Sequence, residues 1–205
     1  LNQSADTMET LFSHPWYRGH IQGKQEIMIG YSDSSKDAGR LAALWSQYEA
    51  QERLAGLGKK HGVELTFFHG KGGTVSRGGN PCMYKALVGM PPDTLKGRFR
   101  VTEQGEMITQ NFGHRAVAEA TLDLYNAGVL AEFFQPPVEP PPAWRDVMKQ
   151  LADIGCQHYR ATVRGDPRFV PYFRAATPEQ ELGSANIGSR PQKRRPGGVE
   201  TLRAI

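Results

Sequence analysis

Apolar and polar positions come in blocks along the chain. Ile27, Met28 and Ile29 form an apolar run too short for a helix and closed by Gly30, which predicts a strand buried on both faces. Ser32 to Asp37 is polar throughout and predicts a loop. Ala38, Leu41, Leu44, Trp45 and Tyr48 then recur at helical spacing, so an amphipathic helix is predicted from Leu41 to Lys60, with Glu49 and Arg53 placed to pair one turn apart. The unit repeats with Val63 to Phe68 as a strand that opens into a stretch with five glycines among residues 70 to 79. Helical patterns follow over Ala116 to Phe134 and Trp144 to Val163. Between them PPVEPPP, Pro136 to Pro142, stops the first and spaces the second. Thr177, Pro178 and Glu179 read as cap, first helical position and acidic first turn of a further helix that Gly183 ends.

Alternation of strand and helix in the first half, then mostly helix, predicts an α/β fold. In parallel α/β folds the junction between a strand's carboxyl end and the next helix holds ligands. The polar stretch after Ile29 and the glycine-rich stretch after Phe68 both occupy that junction. Glycine lets the backbone approach an oxyanion closely, and its amides with Lys71 and Arg77 would make a phosphate cradle. A flexible loop with solvated charges is the competing reading of the same residues. Internal repeats of solenoid type and long low-complexity tracts are absent from the sequence.

Composition narrows the classes. A chain of 205 residues is long enough to bury a core and make one domain or slightly more. Its apolar runs fall short of the roughly 20 residues of a membrane span, and no secretory signal is visible. The two cysteines, Cys82 and Cys156, lack CxxC spacing, which predicts free thiols in a reducing compartment and neither a disulfide nor a zinc site. The formal net charge of +4 resides in residues 184–205, where Arg190, Lys193, Arg194, Arg195 and Arg203 face Glu200 alone. KRRP clusters occur in nucleic-acid binders, but no aromatic platform or recognition helix accompanies this one, so nucleic acid is not the expected partner.

Longer segments carry a family signature. WYRGHIQGKQEIMIGYSDSSKDAG (Trp16 to Gly39), VELTFFHGKGG (Val63 to Gly73), LKGRFRVTEQGEMI (Leu95 to Ile108), FVPYFRAATPEQELG (Phe169 to Gly183) and GSRPQKRRPGGVETLRAI (Gly188 to Ile205) run in order through almost the whole chain. In them the chain strongly resembles phosphoenolpyruvate carboxylase. The chain begins at Leu1 without an initiator methionine and stops inside a motif that the family continues, so it is expected to be an internal fragment of a protein several times longer.

The resemblance implies an α/β architecture in which residues 1–205 are part of a parallel β/α (TIM-like) barrel embedded in a mostly helical protein, with 184–205 as a basic substrate-binding loop segment. It implies carboxylation of phosphoenolpyruvate by bicarbonate to oxaloacetate and phosphate, through carboxyphosphate and an enolate, with Mg2+ or Mn2+. Asp33 matches the family's metal-binding aspartate, a hard oxygen ligand of the kind these ions accept. Lys36 matches the catalytic lysine of the same motif and is expected at the amino end of a helix, where the dipole would help it hold bicarbonate. His69 falls where the family also has a histidine and is assigned to substrate placement, a satisfied structural histidine being the alternative. Arg77 matches the second cation of the glycine-rich loop, whose closure would exclude water from the enolate. Lys71, Arg190 and Arg203 are the remaining substrate-binding cations. The resemblance also implies a homotetramer, dicarboxylate effectors such as malate or aspartate, and a cytoplasmic location, with a plastid left open. The isolated fragment is expected to be inactive because the family's principal catalytic histidine lies in a segment absent from it.

Three departures from the family pattern stand out. Lys71 replaces a phosphate-binding arginine and loses the bidentate fork. Ser76 replaces a glycine just before Arg77, and NPCMYKAL continues the glycine-rich stretch in an unfamiliar way. RRPGGVE is one residue shorter than the usual pattern. They leave a second reading open, a non-catalytic paralogue that binds phosphorylated metabolites.

Overall fold

A computed structural model describes residues 1–70, 83–103, 105–135, 137–178 and 181. Two short helices, α1 (Ser4–Ser13) and α2 (Pro15–Ile21), lead into strand β1 (Lys24–Gly30). Helices α3 (Ser32–Ala38) and α4 (Arg40–His61) cross to strand β2 (Glu64–Gly70). Helix α5 (Met83–Val88) precedes the two-residue strand β3 (Arg100–Val101), and α6 (Gly105–Phe112), α7 (Arg115–Phe134), α8 (Pro142–Arg160) and α9 (Phe169–Ala176) complete the described order. The three strands are parallel in the order β1-β2-β3. The described architecture is therefore mixed α/β, mostly helical, with a small parallel sheet.

Register fixes which side chains share a face. Lys24 pairs with Glu64 and Gly30 with Gly70, so Ile29 lies beside His69 and Met28 beside Phe68. Because side chains alternate along a strand, Leu65, Phe67 and His69 point to one side of β2 and are buried there. Ile29, Leu65 and Phe67 pack on that side with Leu54, Ala55 and Leu57 of α4 and with Phe12 of α1. The backbones approach closely at Gly58, where an added Cβ would sit 2.8 Å from Leu65 Cγ and 2.9 Å from the Val63 carbonyl oxygen. The Gly58 carbonyl accepts the Val63 N–H at 2.8 Å, which ties the end of α4 to the start of β2.

The other face differs from the expectation of two-sided burial. Met28 is 63% exposed and Glu26 is exposed, because no element among the described residues covers that side of β1. Arg100 on β3 reaches across this face to Glu26 at 2.5 Å, with its guanidinium over the Phe68 ring. The covered face is largely apolar and the open one is ionic and half-apolar.

The helices expected from Leu41, Ala116 and Trp144 onward are α4, α7 and α8, the last carried on by a π-helical turn over Ala161–Gly165. On α4, Ala42, Ala43, Trp45, Ala50 and Leu54 are buried while Leu41 and Leu44 are exposed. Glu49 and Arg53 make no ion pair among the described residues. Glu52 instead takes both Arg145 guanidinium nitrogens, at 2.5 and 2.6 Å, and joins α4 to α8. Helix α8 starts two residues before the expected Trp144, at Pro142, because a residue without a backbone donor is tolerated in the first turn. Thr177 is extended and ends α9; the continuation through Glu179 and Gly183 lies outside the described residues.

Candidate active site

The carboxyl ends of β1 and β2 meet at Gly30 and Gly70, and the polar residues read as a loop are in fact helix α3, which starts one residue after β1. Serine and aspartate are weak helix formers, so this helix depends on its surroundings. The Tyr31 carbonyl accepts the Ser35 N–H at 3.1 Å, and Ser34 Oγ donates to the Gly30 carbonyl at 3.1 Å. Buried Gln47 of α4 donates its amide to the same carbonyl at 3.0 Å. The far end is clamped by α8. Tyr159 Oη donates to the Lys36 carbonyl at 3.0 Å, Arg160 Nε donates to the Asp37 carbonyl at 3.0 Å, and Arg160 and Arg164 both bind the Asp37 carboxylate. The paired Arg164 guanidinium, then Arg160, hold that carboxyl below its usual range. Gly39, at φ 80°, then turns the chain so that α4 can begin at Arg40.

This framework places two sequence-predicted residues on one short helix. Asp33 is exposed in the first turn of α3, free of the clamp that holds Asp37. Lys36 is half-buried one turn later, in the last turn. Lys36 was expected in a loop at the amino end of the following helix; it lies instead in the last turn of α3, at that helix's carboxyl end, with α4 starting beyond Gly39 at Arg40.

His69 is placed differently. It is 1% exposed and points to the α4 side of the sheet, its ring centroid 5.2 Å from that of Phe99 and 6.0 Å from that of Tyr31. The Tyr31 hydroxyl lies 2.7 Å from His69 Nδ1, and burial pushes the Tyr31 phenol above its ordinary range. Tyr31 was not singled out in the sequence, because only the register that sets Ile29 beside His69 brings the two rings together. Thr102 and Glu103, just past β3, were also missed. The Thr102 N–H donates to the His69 carbonyl at 3.0 Å, and Glu103 Oε1 accepts from Tyr125 Oη at 3.1 Å. The Thr102 hydroxyl and Glu103 Oε2 are buried without a hydrogen-bond partner among the described residues. Lys71, Arg77, Arg190 and Arg203 lie outside the described residues.

A family model described as phosphoenolpyruvate carboxylase matches residues 1–205. The chain belongs to the phosphoenolpyruvate carboxylase family. Phosphoenolpyruvate carboxylases of Aeromonas hydrophila, Histophilus somni and Klebsiella pneumoniae are similar to it at 58%, 57% and 55% identity over 97%, 100% and 100% of the chain. The chain spans 23% of the length of each of these curated relatives.

Asp33, in the first turn of α3, and Glu103, just past β3, are hard carboxylates beyond the strand ends, the donor type suited to the divalent metal that the family implies. Among the described residues no three His, Cys, Asp or Glu side chains converge as a cage. An exposed carboxylate such as Asp33 would suit a hydrated Mg2+, which keeps several of its waters when bound. Cys156 is a free thiol, and Cys82 lies outside the described residues. No described helix is long and apolar enough to cross a membrane.

Proposed function

We propose that this chain is part of a phosphoenolpyruvate carboxylase, and that the whole protein carboxylates phosphoenolpyruvate with bicarbonate to give oxaloacetate and phosphate. Family membership over the full chain supports this reading, and the observation that carries it into chemistry is the display of Asp33 and Lys36 on α3 at the carboxyl edge of a parallel sheet. That edge is where α/β enzymes gather their ligands. Asp33 would hold Mg2+ or Mn2+, which supplies charge stabilisation for the phosphoryl and enolate oxygens when bound. Lys36 would offer its ammonium to bicarbonate. Lys71, Arg77, Arg190 and Arg203 would surround the phosphate and carboxylate groups of the substrate, arginine's fork suiting both.

The same reading makes the three parallel strands a portion of a β/α barrel, and the open face carrying Glu26, Met28 and Phe68 part of its interior. A homotetramer, dicarboxylate effectors such as malate or aspartate, and a cytoplasmic location complete the proposal.

The decisive assay is oxaloacetate formation by the full-length protein from phosphoenolpyruvate, bicarbonate and Mg2+. Asp33→Ala and Lys36→Ala are each expected to lower kcat by a hundredfold or more, on the order of what a group acting in the transition state contributes. Either variant retaining the unsubstituted rate removes that residue from the site, and an intact full-length protein without turnover overturns the carboxylase reading.

A further inference from the structure

Tyr31 occupies the N-cap position of α3, the helix of Asp33 and Lys36, and its hydroxyl reaches His69 on the neighbouring strand. His69 belongs to β2, whose next residue is Gly70, and it lies on the covered face among Tyr31 and Phe99, opposite in direction to Phe68 on the open face. An imidazole in that position is screened from the open side of the strand ends by its own strand. It meets Tyr31, the residue before α3, through the phenol oxygen and Nδ1, 2.7 Å apart.

We propose that Tyr31 and His69 form a positioning pair, a hydrogen-bonded clasp across the carboxyl ends of β1 and β2 that sets where α3 begins and therefore where Asp33 and Lys36 stand. His69 then acts on the site through Tyr31 and does not touch substrate itself. Three observations converge on this. The helix is intrinsically weak in sequence, SDSSKDA, and so needs external fixing. Its carboxyl end is fixed by Tyr159, Arg160 and Arg164, whereas at its amino end the Tyr31 phenol is the side chain that reaches across to the neighbouring strand. Both partners of the clasp are held by ring packing, since His69 lies between Tyr31 and Phe99, and Phe99 packs on Tyr125 at 5.9 Å. A hydrogen bond between two side chains so confined transmits position, because neither ring can move without displacing its neighbour.

The pair deepens the carboxylase reading only through Asp33 and Lys36, so two measurements on the full-length protein separate the two ideas. Hydrogen exchange of the amides of α3 needs no activity. Tyr31→Phe removes one oxygen and keeps the ring; it is expected to speed exchange over Ser35–Ala38 by about five- to tenfold while the interior of α4 is unchanged. His69→Leu should do the same, the double variant should exchange no faster than either single one, and His69→Asn, whose amide can meet the phenol, should restore protection. The second measurement is a cycle on kcat/KM: in the Tyr31→Phe background, His69→Leu should have little further effect, because the two residues act as a unit. Unchanged α3 exchange in Tyr31→Phe overturns the clasp, and so does a His69→Leu loss that is as large in that background as in the unsubstituted enzyme, which would mean that His69 meets substrate directly. A full-length protein without carboxylase turnover would defeat the function proposed above, while the exchange measurement would still decide the clasp.

Discussion

Two glycines in the same helix should respond to alanine with opposite signs. Gly56 and Gly58 both lie within α4, and neither has a left-handed φ, so alanine brings no backbone strain at either. Replacing glycine inside a helix stabilises by roughly 0.5–1 kcal/mol, because the unfolded chain has less freedom to lose. At Gly56 an added Cβ meets nothing within 4 Å, so Gly56→Ala should gain that amount. At Gly58 the same carbon meets Leu65 Cγ at 2.8 Å and the Val63 carbonyl oxygen at 2.9 Å. The carbonyl belongs to the residue whose N–H is bonded to Gly58, so relief requires α4 and β2 to part and that bond to stretch. Overpacking of this kind costs about 1–3 kcal/mol, which set against the helical gain leaves a net loss of about 0.5–2 kcal/mol. In a domain of this size roughly 2–4 °C of thermal midpoint corresponds to each kcal/mol. Thermal melts should therefore show Gly56→Ala melting about 1–4 °C higher and Gly58→Ala about 1–8 °C lower than the unsubstituted chain. A Gly58→Ala protein that melts higher would refute the claim that close approach at this residue sets the spacing between α4 and the sheet.

Leu54 is fully buried at the centre of the α4–sheet core, so Leu54→Ala should destabilise by about 2–5 kcal/mol in a denaturant titration. Glu52→Gln breaks a bidentate, partly exposed pair with Arg145 and should cost about 1 kcal/mol, an effect that shrinks in high salt. Asp37 has a lowered folded pKa, so its pairing with Arg164 and Arg160 stabilises above the ordinary aspartate value of about 4 and is lost as pH falls through the folded value; the difference in melting between Asp37→Asn and the unsubstituted protein should be present at pH 7 and vanish in acid. On the proposed carboxylase reading, Lys71→Arg in the full-length protein would supply a bidentate phosphate ligand, and steady-state kinetics should show a lower KM for phosphoenolpyruvate with kcat little changed.

What was legible in the sequence were the elements whose own periodicity matches their burial. The helix from Leu41 starts one residue earlier and ends one later than its pattern indicates, and the strands at Ile27 and Val63 fall where their apolar runs lie. Helix α3 was not legible, since its residues favour loops and its stability comes from Tyr159, Arg160 and Arg164, more than 120 positions away in sequence. The exposure of Met28 was equally hidden: an apolar strand says that partners exist, and the described residues supply them on one face only. Of the candidate site, the placing of Asp33 and Lys36 next to the end of β1 was legible, because both follow the apolar run at Ile27 directly in sequence. The side on which His69 lies is decided by strand parity against α4, and its partner Tyr31 by interstrand register, neither of which a linear motif carries.

The main core also has a temporal meaning. Phe12, Ile29, Leu54, Ala55, Leu57, Val63, Leu65 and Phe67, together with the clasp residues Tyr31 and His69, all fall within the first 70 residues. The β1–β2 ladder is complete there, whereas β3 adds only two paired residues afterwards. During synthesis this unit can therefore collapse around α4 as soon as β2 has left the ribosome, before α7 and α8 exist to pack on it. Helix α3 would be the last part of that early unit to settle, because its carboxyl end waits for Tyr159 and Arg160 to be made. The segment bearing Asp33 and Lys36 thus reaches its folded position only after later chain has folded back over a scaffold already formed.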